Sequence, residues 1–478
     1  MAGEWFGLLP RAGEMGYKIS GFFRLGYRHM FSFRFRRLAA TAISGLAVIA
    51  TPAAAQSLDD MQRQLESLQA QVTELQAQIE AAKQAAAEAK AAAEARPATV
   101  AEAQPDEKND LKVTWKGAPE LSSADGAYRM KLRGRVVVDA GFGDQDETVT
   151  GNGTLKATEF RAVRLGVEGV LARDFSYLVE TELAGETPQL ILANIGYKGL
   201  PADITLGLMK TGNSLEESTS FRFITFMERA AITDSFGFAT HIGVTVGKKA
   251  GAWTLQGGIF RGSNSTADTD EGLVLSARGT VSPRIGDMAV LHLGAHVRYR
   301  EVGAGQALLG YSQRPHQHLA GKTLDLPGFA KSDTLIGGEA ALLAGPFSLQ
   351  GEYMRLHAEN DDPAGPNPNF DGYYVDATWF LTGENRNYSG GVFNRVSVRR
   401  PVTQGGAGAW ELAARFDTVN LSDGAFDGGS QDSYIFGVNW YLNDYVRMTA
   451  NYNKSKVYGG ANDGADIDLF GLRAQLDW

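Results

Sequence analysis

The sequence contains no cysteine among its 478 residues and only 15 prolines. Without cysteine, a disulfide framework, a thiolate metal site and a cysteine nucleophile are all excluded. The net charge is −9 and the pI about 5.4, so the basic stripe of a nucleic-acid-binding surface is missing as well. No Ser-His-Asp spacing, phosphate-binding loop or dinucleotide fingerprint stands out. The sequence therefore predicts no catalytic residue, no cofactor and no nucleic-acid partner.

Long apolar runs are equally scarce. A transmembrane helix needs roughly 18–20 consecutive apolar residues, and only a segment near the N-terminus approaches that length. There, a basic stretch is followed by the apolar run Leu38–Ile49 and by three alanines just before Gln56. This order is typical of a secretory signal peptide. We therefore expect a signal peptide over residues 30–55 and an over-extended N-terminus over residues 1–29.

A heptad repeat follows the predicted cleavage site. Apolar residues recur at alternating spacings of three and four from Leu58 to Ile79, and alanines continue the pattern to Ala93. Such a repeat predicts a helical coiled coil, which we assign to residues 56–96. The alanine-rich second half is also compatible with a solvated single helix. Residues 97–125 begin with prolines and acidic residues and are predicted to be a linker.

The period of the apolar residues then changes from 3.5 to 2. In the stretch 128–139, one set of alternate residues is apolar and includes Met130 and Val136, while the other is mostly charged and includes Arg133 and Arg135. An apolar face opposite a charged one fits a strand between lipid and a water-filled interior. A single strand of a soluble β-sheet can show the same pattern. The choice between a soluble sheet and a membrane barrel therefore depends on how often the pattern recurs along the chain.

About sixteen such segments follow one another, an even number that is typical of a porin. They lie at about 128–139, 158–172, 174–184, 188–198, 202–210, 240–249, 251–262, 271–283, 286–302, 332–345, 346–358, 370–384, 408–421, 432–443, 444–457 and 466–478. Short turns alternate with longer connections between them. We therefore predict an all-β fold over residues 126–478, a 16-stranded antiparallel transmembrane β-barrel with a periplasmic N-terminus.

Two connections stand out from this alternation. Thr211–Ala239 is unusually long, and a long ordered loop in a compact domain needs a reason. We expect this loop to fold into the barrel lumen and to form the constriction. Glu384–Ala407 is long although it falls on the side of the short turns, and it carries several arginines. We expect it to fold into the vestibule.

Five stretches together resemble the phosphate-selective porins O and P, over about residues 132–478. They are FRAVRLGVEG (160–169), LGLMK…SLEESTS…ITFMERA (206–230), GAWELAARFDTVNL (408–421), GVNWYLNDYVRMTANY (437–452) and the C-terminal FGLRAQLDW. The resemblance implies a homotrimer of 16-stranded outer-membrane barrels that conducts small anions such as phosphate. We also expect contacts with outer-membrane lipid and lipopolysaccharide.

The resemblance also implies a set of anion-binding side chains. The matching or neighbouring arginines are Arg135, Arg161, Arg222, Arg314, Arg395 and Arg400. A phosphate that sheds water in a constriction needs several fixed donors and positive charges, which the guanidinium fork supplies. The chain departs from the family where Ala162 follows Arg161 in place of a second arginine. The ladder of arginines that draws anions inward is reduced to Arg314.

Several alternatives stay open at this level. Glu216 and Glu217 either give the constriction mixed charge, as in a general or sugar-admitting porin, or pair with Arg161 or Arg222 and hold the loop. A third function, an envelope tether, requires a peptidoglycan-binding motif that is not evident. For His316 and His318 a polar loop is favoured over a metal site, because no third ligand is near in the sequence.

Overall fold

The computed structural model describes residues 111–151, 153–264, 269–286 and 289–478, together with the single residues 73 and 84. The predicted N-terminal extension and signal peptide lie outside these residues. So does the predicted coiled coil over 56–96, apart from the two single residues. The barrel described below belongs to the compact unit Glu102–Trp478.

The described residues contain twenty-two strands. In chain order they are β1 (Leu111–Trp115), β2 (Pro119–Ser123), β3 (Arg129–Asp146), β4 (Gly153–Leu171), β5 (Phe175–Glu182), β6 (Gln189–Tyr197), β7 (Asp203–Lys210), β8 (Thr240–Ala250), β9 (Trp253–Arg261), β10 (Leu273–Val281), β11 (Arg284–Ile285), β12 (Ala289–Glu301), β13 (Leu309–Gln313), β14 (Leu324–Ala344), β15 (Phe347–Asn360), β16 (Asn369–Phe380), β17 (Tyr388–Ser389), β18 (Val392–Phe393), β19 (Ala409–Asp423), β20 (Phe426–Asn443), β21 (Val446–Tyr458) and β22 (Asp466–Asp477).

Sixteen of the described strands, namely β3–β10, β12, β14–β16 and β19–β22, pair in sequence as antiparallel neighbours. The last, β22, pairs with the first, β3, and so closes the sheet into a barrel. At the end of this pairing, Gly134 and Trp478 exchange two backbone hydrogen bonds of 3.2 and 3.0 Å. A Cβ at Gly134 would lie 2.3 Å from the Trp478 ring, so only glycine leaves room for the terminal aromatic side chain. The predicted 16-stranded antiparallel barrel is confirmed.

Side chains alternate between the two faces of the wall, as the period of two predicted. On β22, Leu472 is 43% exposed on the outer face, whereas the next residue, Arg473, is 1% exposed on the inner face. Aromatic pairs lie on the outer wall near the ends of neighbouring strands, such as Trp410 stacked on Trp440 at 5.2 Å. An apolar exterior with aromatic residues near its rim suits a wall surrounded by lipid.

The two ends of the barrel differ in their connections. At one end, the short-turn end, strands are joined by turns such as 251–252 and 345–346, where Gly251 and Gly345 take positive φ angles of 57° and 58°. The opposite end carries the longer connections, including 211–239 and 302–323. The connection 381–408 is the exception, because it is long and starts from the short-turn end.

Smaller elements complete the described part of the chain. They are the helices Glu147–Thr150, Leu215–Ser218 and Ala231–Ser235 and the 3-10 helix Val402–Gln404. No helix among the described residues is both long and apolar enough to cross a bilayer. Strands β1 and β2 form a hairpin that pairs with the start of β3. This hairpin lies within the predicted linker 97–125, so part of that segment, from Leu111, forms strands.

Candidate functional site

The long loop 211–239 lies inside the barrel, where wall residues bind its backbone. The N–H groups of Leu215 and Glu216 donate to the Glu352 carboxylate of β15 at 2.9 and 2.8 Å. The N–H of Met227 donates to Asn451 Oδ1 of β21 at 2.8 Å. Because the loop is bound to strands on several sides, it narrows the lumen as a fixed constriction, in agreement with the sequence-based expectation.

Glu216 and Glu217 hold this loop through ion pairs with other residues. Glu216 accepts from the buried Arg415 of β19 at 2.5 Å, and Arg415 also contacts Asp376 of β16 at 2.6 Å. Glu217 pairs with Lys210 at 2.8 Å and with Arg229 at 3.0 Å. Neither glutamate pairs with Arg161 or Arg222, which was one of the two alternatives left open by the sequence. Glu216 is turned into the wall, and only Glu217 lines the open lumen.

An apolar cluster fills the lumen between the second half of the loop and one side of the wall. The loop contributes Ala230, Ala231, Ile232 and Phe236, all almost fully buried. The wall and the neighbouring connection contribute Tyr311, Leu324, Leu335, Met354, Leu356, Phe370, Tyr374, Val419, Leu421, Val457, Ile467 and Leu469. Burial of this apolar area fixes the loop against β14–β22. Open space is left on the opposite side, beside β3–β7.

The connection 381–408 also enters the lumen, from the short-turn end. Phe393 in β18 packs with Leu215 of the long loop, and its N–H donates to Thr219 Oγ1 at 3.3 Å. Arg278 of β10 donates to the carbonyl oxygen of Gly391 at 2.7 Å. The two inward connections therefore meet inside the barrel and together shape the narrow part of the channel.

A cavity of about 430 Å³ lies between the long loop and the inner faces of β3–β7. Seven cationic side chains line it: Arg133, Arg135, Arg161, Arg164, Lys210, Arg222 and Arg229. Its lining contains two carboxylates, Glu180 and Glu217, so the positive charges exceed the negative ones by five. The side chains that line the cavity therefore carry an excess of positive charge.

A β-bulge explains how neighbouring arginines on β4 reach the same cavity. Val137 pairs with Ala162 and Val138 with Phe160, which leaves Arg161 as an extra residue without a cross-strand partner. Strict alternation would place positions 161 and 164 on opposite faces of a strand. The extra residue shifts the alternation by one, so that Arg161 and Arg164 both face the lumen.

Arg161 joins the long loop to the wall. Its Nε and Nη2 each donate to the Glu228 carboxylate at 2.9 Å, and Arg473 of β22 contacts the same carboxylate at 2.9 Å. Burial opposes ionisation of Glu228, but Arg161 and Arg473 outweigh it and hold its pKa at about 2. Both guanidinium groups also lie over the Phe221 ring, at 5.1 and 4.8 Å from its centroid.

Arg222 is the least neutralised of the three predicted arginines that line the cavity. Its ion pair with Asp477 spans 3.8 Å, and its guanidinium lies 5.0 Å from the centroid of the Phe223 ring. Arg395 occupies another position around that ring at 5.3 Å and pairs with Asp477. Burial and the nearby Arg133 lower the pKa of Arg222. The Arg222 guanidinium therefore lies among other cations and has one long ion pair.

The six arginines predicted from sequence therefore divide into two groups. Arg135, Arg161 and Arg222 line the cavity, and Arg395 lies beside Arg222 in an adjoining pocket. Arg314 and Arg400 are not brought to the cavity. Arg314 donates to the carbonyl oxygen of Ala320 at 3.2 Å, whereas Arg400 is exposed near the short-turn end.

The two histidines flagged in the sequence occupy different environments. His316 is buried, with its Nδ1 3.2 Å from the carbonyl oxygen of Arg229. His318 is exposed and lies 2.9 Å from the Glu159 carboxylate. Throughout the ranges that the structure describes, no three His, Cys, Asp or Glu residues are grouped so as to hold a metal ion.

Four cations of the cavity were not among the predicted site residues: Arg133, Lys210, Arg229 and Arg164. Arg133 was recognisable in principle, because it shares the inner face of β3 with Arg135. Lys210 ends β7 directly before the constriction loop and Arg229 lies within that loop, where proximity to the lumen was predicted. Arg164 carried no such signal, because its orientation depends on the bulge at Arg161.

Several known proteins are similar to this chain in sequence or in fold. Residues 130–478 match the family model of the phosphate-selective porins O and P, which confirms the resemblance inferred from the sequence. An uncharacterised protein of Caulobacter vibrioides is 32% identical over 404 residues, covering 80% of both chains. Porin O of Pseudomonas aeruginosa is 27% identical over 412 residues, covering 77% of this chain and 92% of that protein.

The barrel is also similar to a solved anion-selective porin from Comamonas acidovorans. The TM-score is 0.50 at 13% sequence identity, and the superposition covers 73% of this chain and 100% of that chain. At this identity the similarity concerns the fold alone.

Proposed function

The chain belongs to the phosphate-selective porin O and P family, and we propose that it lets small anions, phosphate among them, diffuse passively through its arginine-lined constriction. The family and the closed barrel make it an outer-membrane porin, a channel rather than an enzyme. The observation that carries the anion preference is the cavity beside β3–β7, where seven cations face two carboxylates.

The arrangement of these cations suits conduction of an anion. A phosphate that leaves bulk water exchanges its hydration shell for charge-assisted hydrogen bonds, for which guanidinium groups offer a matching fork of donors. Conduction also requires that each site be weak enough to release the ion to the next. Arg135 on β3 and Arg222 on the loop both line the cavity, so an anion that enters it meets donors from the wall and from the loop.

Two relatives support this proposal. Porin O shares 27% of its residues with this chain over nearly its whole length, and its family is described as phosphate-selective. The solved barrel of similar fold is described as an anion-selective porin. Both descriptions agree with the positive excess in the constriction.

A general porin, which also admits neutral sugars, is the second candidate. The observation in its favour is that several lining arginines are already paired with carboxylates. Arg164 pairs with Glu182 at 2.7 Å, and Lys210 and Arg229 share Glu217. Paired cations attract a passing anion less strongly, which reduces the preference for anions over neutral solutes.

Flux into proteoliposomes distinguishes these two functions. The purified protein is reconstituted, and the entry rates of radiolabelled phosphate and of a neutral pentose such as arabinose are compared in the same vesicles. Our proposal predicts faster entry of phosphate despite its charge. Equal or faster entry of the pentose would favour the general porin.

We further propose that the protein is a homotrimer whose short-turn end and N-terminus face the periplasm, with its outer wall in contact with lipid and lipopolysaccharide. The family resemblance and the predicted coiled coil over 56–96 support the trimer. Chemical cross-linking in native outer membranes tests it, because a trimer gives a ladder that ends at three chains.

A further inference from the structure

Glu180 on β5 binds three of the cavity's arginines at once. Its carboxylate lies 2.8 Å from Arg133 Nε, 2.9 Å from Arg135 Nη2 and 3.3 Å from Arg164 Nη1. The glutamate is 1% exposed, although it belongs to the lining of a wet channel. Three guanidinium groups thus converge on two oxygen atoms, as they would on an oxyanion.

The strand register builds this arrangement. Arg133, Gly166 and Glu180 form one row across β3, β4 and β5. A Cβ at Gly166 would lie 3.1 Å from Arg133 Cγ and 2.4 Å from the carbonyl oxygen of Val179. Because the middle position of the row has no side chain, Arg133 and Glu180 meet across it. Arg135 reaches the Glu180 carboxylate from the adjacent row of residues.

The three arginines differ in whether they have a carboxylate partner besides Glu180. Arg133 also pairs with Glu168 at 2.7 Å and Arg164 with Glu182 at 2.7 Å, but the only ion pair of Arg135 among the described residues is with Glu180. Arg135 Nε is buried and has no hydrogen-bond partner in the described part of the chain. Arg135 therefore depends on Glu180 for its neutralisation.

We propose that Glu180 is a built-in counter-anion that sets how tightly the constriction holds a diffusing anion. This inference rests on the proposed anion-conducting function and names the residue that tunes it. Glu180 occupies the face of the arginine cluster that a tetrahedral oxyanion would otherwise take. A passing anion meets partly satisfied arginines, binds weakly and leaves quickly, which favours flux over affinity.

The substitution Glu180→Gln tests this role, because it keeps the shape of the side chain and removes its charge. The positive excess of the lining rises from five to six, and the Arg135 fork loses its charged partner. We expect the anion/cation permeability ratio in a KCl gradient to rise about two- to threefold. The phosphate concentration that half-blocks the chloride current should fall about tenfold, as expected when one charge-assisted hydrogen bond is gained.

Glu182→Gln is the matched control. Glu182 lies two residues along the same strand face and contacts Arg164 at 2.7 Å. Its oxygens also accept hydrogen bonds from the N–H groups of Val163 and Ala184, and it does not line the cavity. The same loss of one charge should change block and selectivity much less at this position. The double variant Glu180→Gln/Arg135→Gln restores the charge balance and should return the ratio towards that of the unmodified protein.

The outcomes separate this inference from the function on which it rests. The reversal potential of the unmodified channel reports the proposed anion preference, whereas the difference between variants reports the role of Glu180. If Glu180→Gln and Glu182→Gln shift block and selectivity equally, or neither shifts them, the counter-anion role is wrong. If Glu180→Gln forms no channels, Glu180→Asp is measured in its place. Its shorter carboxylate should give a smaller rise in the anion/cation permeability ratio than Glu180→Gln. An unchanged permeability ratio in Glu180→Asp overturns the inference.

Discussion

Arg161 and Glu228 form a bidentate ion pair in which both nitrogen–oxygen distances are 2.9 Å. This ion pair fastens the constriction loop to the bulge of β4. On the loop side the pair is formed by a partly buried carboxylate. On the wall side it is formed by the extra residue of the β-bulge. The pair therefore couples the position of the loop to a local irregularity of the wall. A constriction held in this way keeps its shape while solutes pass.

The pH dependence of stability reports this ion pair. Because the folded-state pKa of Glu228 is lowered to about 2, its contribution is present above the unfolded value of about 4.3 and is lost as pH falls towards 2. We expect Glu228→Gln to lower the unfolding free energy by about 2 kcal/mol at pH 7, since partial exposure of the pair screens it. Thermal unfolding in detergent should show a constant difference from pH 8 to about 4.5 and a shrinking one below. A difference that disappears near pH 6 contradicts this assignment.

Arg222 and Arg135 should carry a measurable part of the anion preference. We expect Arg222→Ala and Arg135→Ala each to lower the anion/cation permeability ratio about two- to threefold, because each removes one positive charge from the narrow passage. Reversal potentials in a KCl gradient measure this change. Arg400→Ala is the control, since Arg400 is exposed outside the cavity and its loss should leave the ratio almost unchanged. Equal effects of all three variants would show that total charge, and not the cavity, determines selectivity.

The buried contact between Glu216 and Arg415 should keep the loop still. Glu216→Gln leaves Arg415 with one carboxylate fewer in a site without water access, and loss of one partner of a buried pair typically costs about 3–5 kcal/mol. We expect a noisier single-channel current and faster protease cleavage within 211–239. The control is Glu271→Gln, which breaks a partly exposed pair with Arg261 and should cost less than about 1 kcal/mol. If the noise of the single-channel current in Glu216→Gln equals that of the unmodified protein, the apolar cluster alone fixes the loop.

Closure of the barrel should depend on Gly134. A side chain at this position meets the Trp478 ring at 2.3 Å, so Gly134→Val should displace the terminal tryptophan and reduce the yield of folded barrel. Gly338→Val is the matched control, because a Cβ there meets no atom within 4 Å. Heat-dependent gel mobility of membrane extracts measures the folded fraction of each variant. Similar yields for both variants would remove Gly134 from the closure mechanism.

The barrel was predictable because its signal is repeated. Alternation of apolar and polar residues recurs in all sixteen barrel strands, so errors at single positions do not change the count. Boundaries were less accurate: β14 begins at Leu324 rather than at 332, and β20 at Phe426 rather than at 432. Polar residues at these strand ends resemble loop residues in sequence, yet their backbone groups pair with a neighbouring strand.

The site was predictable only where the family resemblance or strict alternation applied. Arg135, Arg161 and Arg222 were found in this way, and the structure brings all three to one cavity. Arg164 was missed because a bulge changes which residues face inward, and no composition rule marks a bulge. The partner of Glu216 was missed because it comes from a strand far away in sequence, Arg415 of β19.

Single-channel recording in a planar bilayer under a KCl gradient, followed by addition of phosphate, tests the anion-conducting function most directly. We predict a reversal potential directed towards chloride and a concentration-dependent decrease of the chloride current by phosphate. These results follow from the excess of five positive charges in the constriction lining. A potential near zero or directed towards potassium, with no block by phosphate, would contradict the proposed function and leave a general porin.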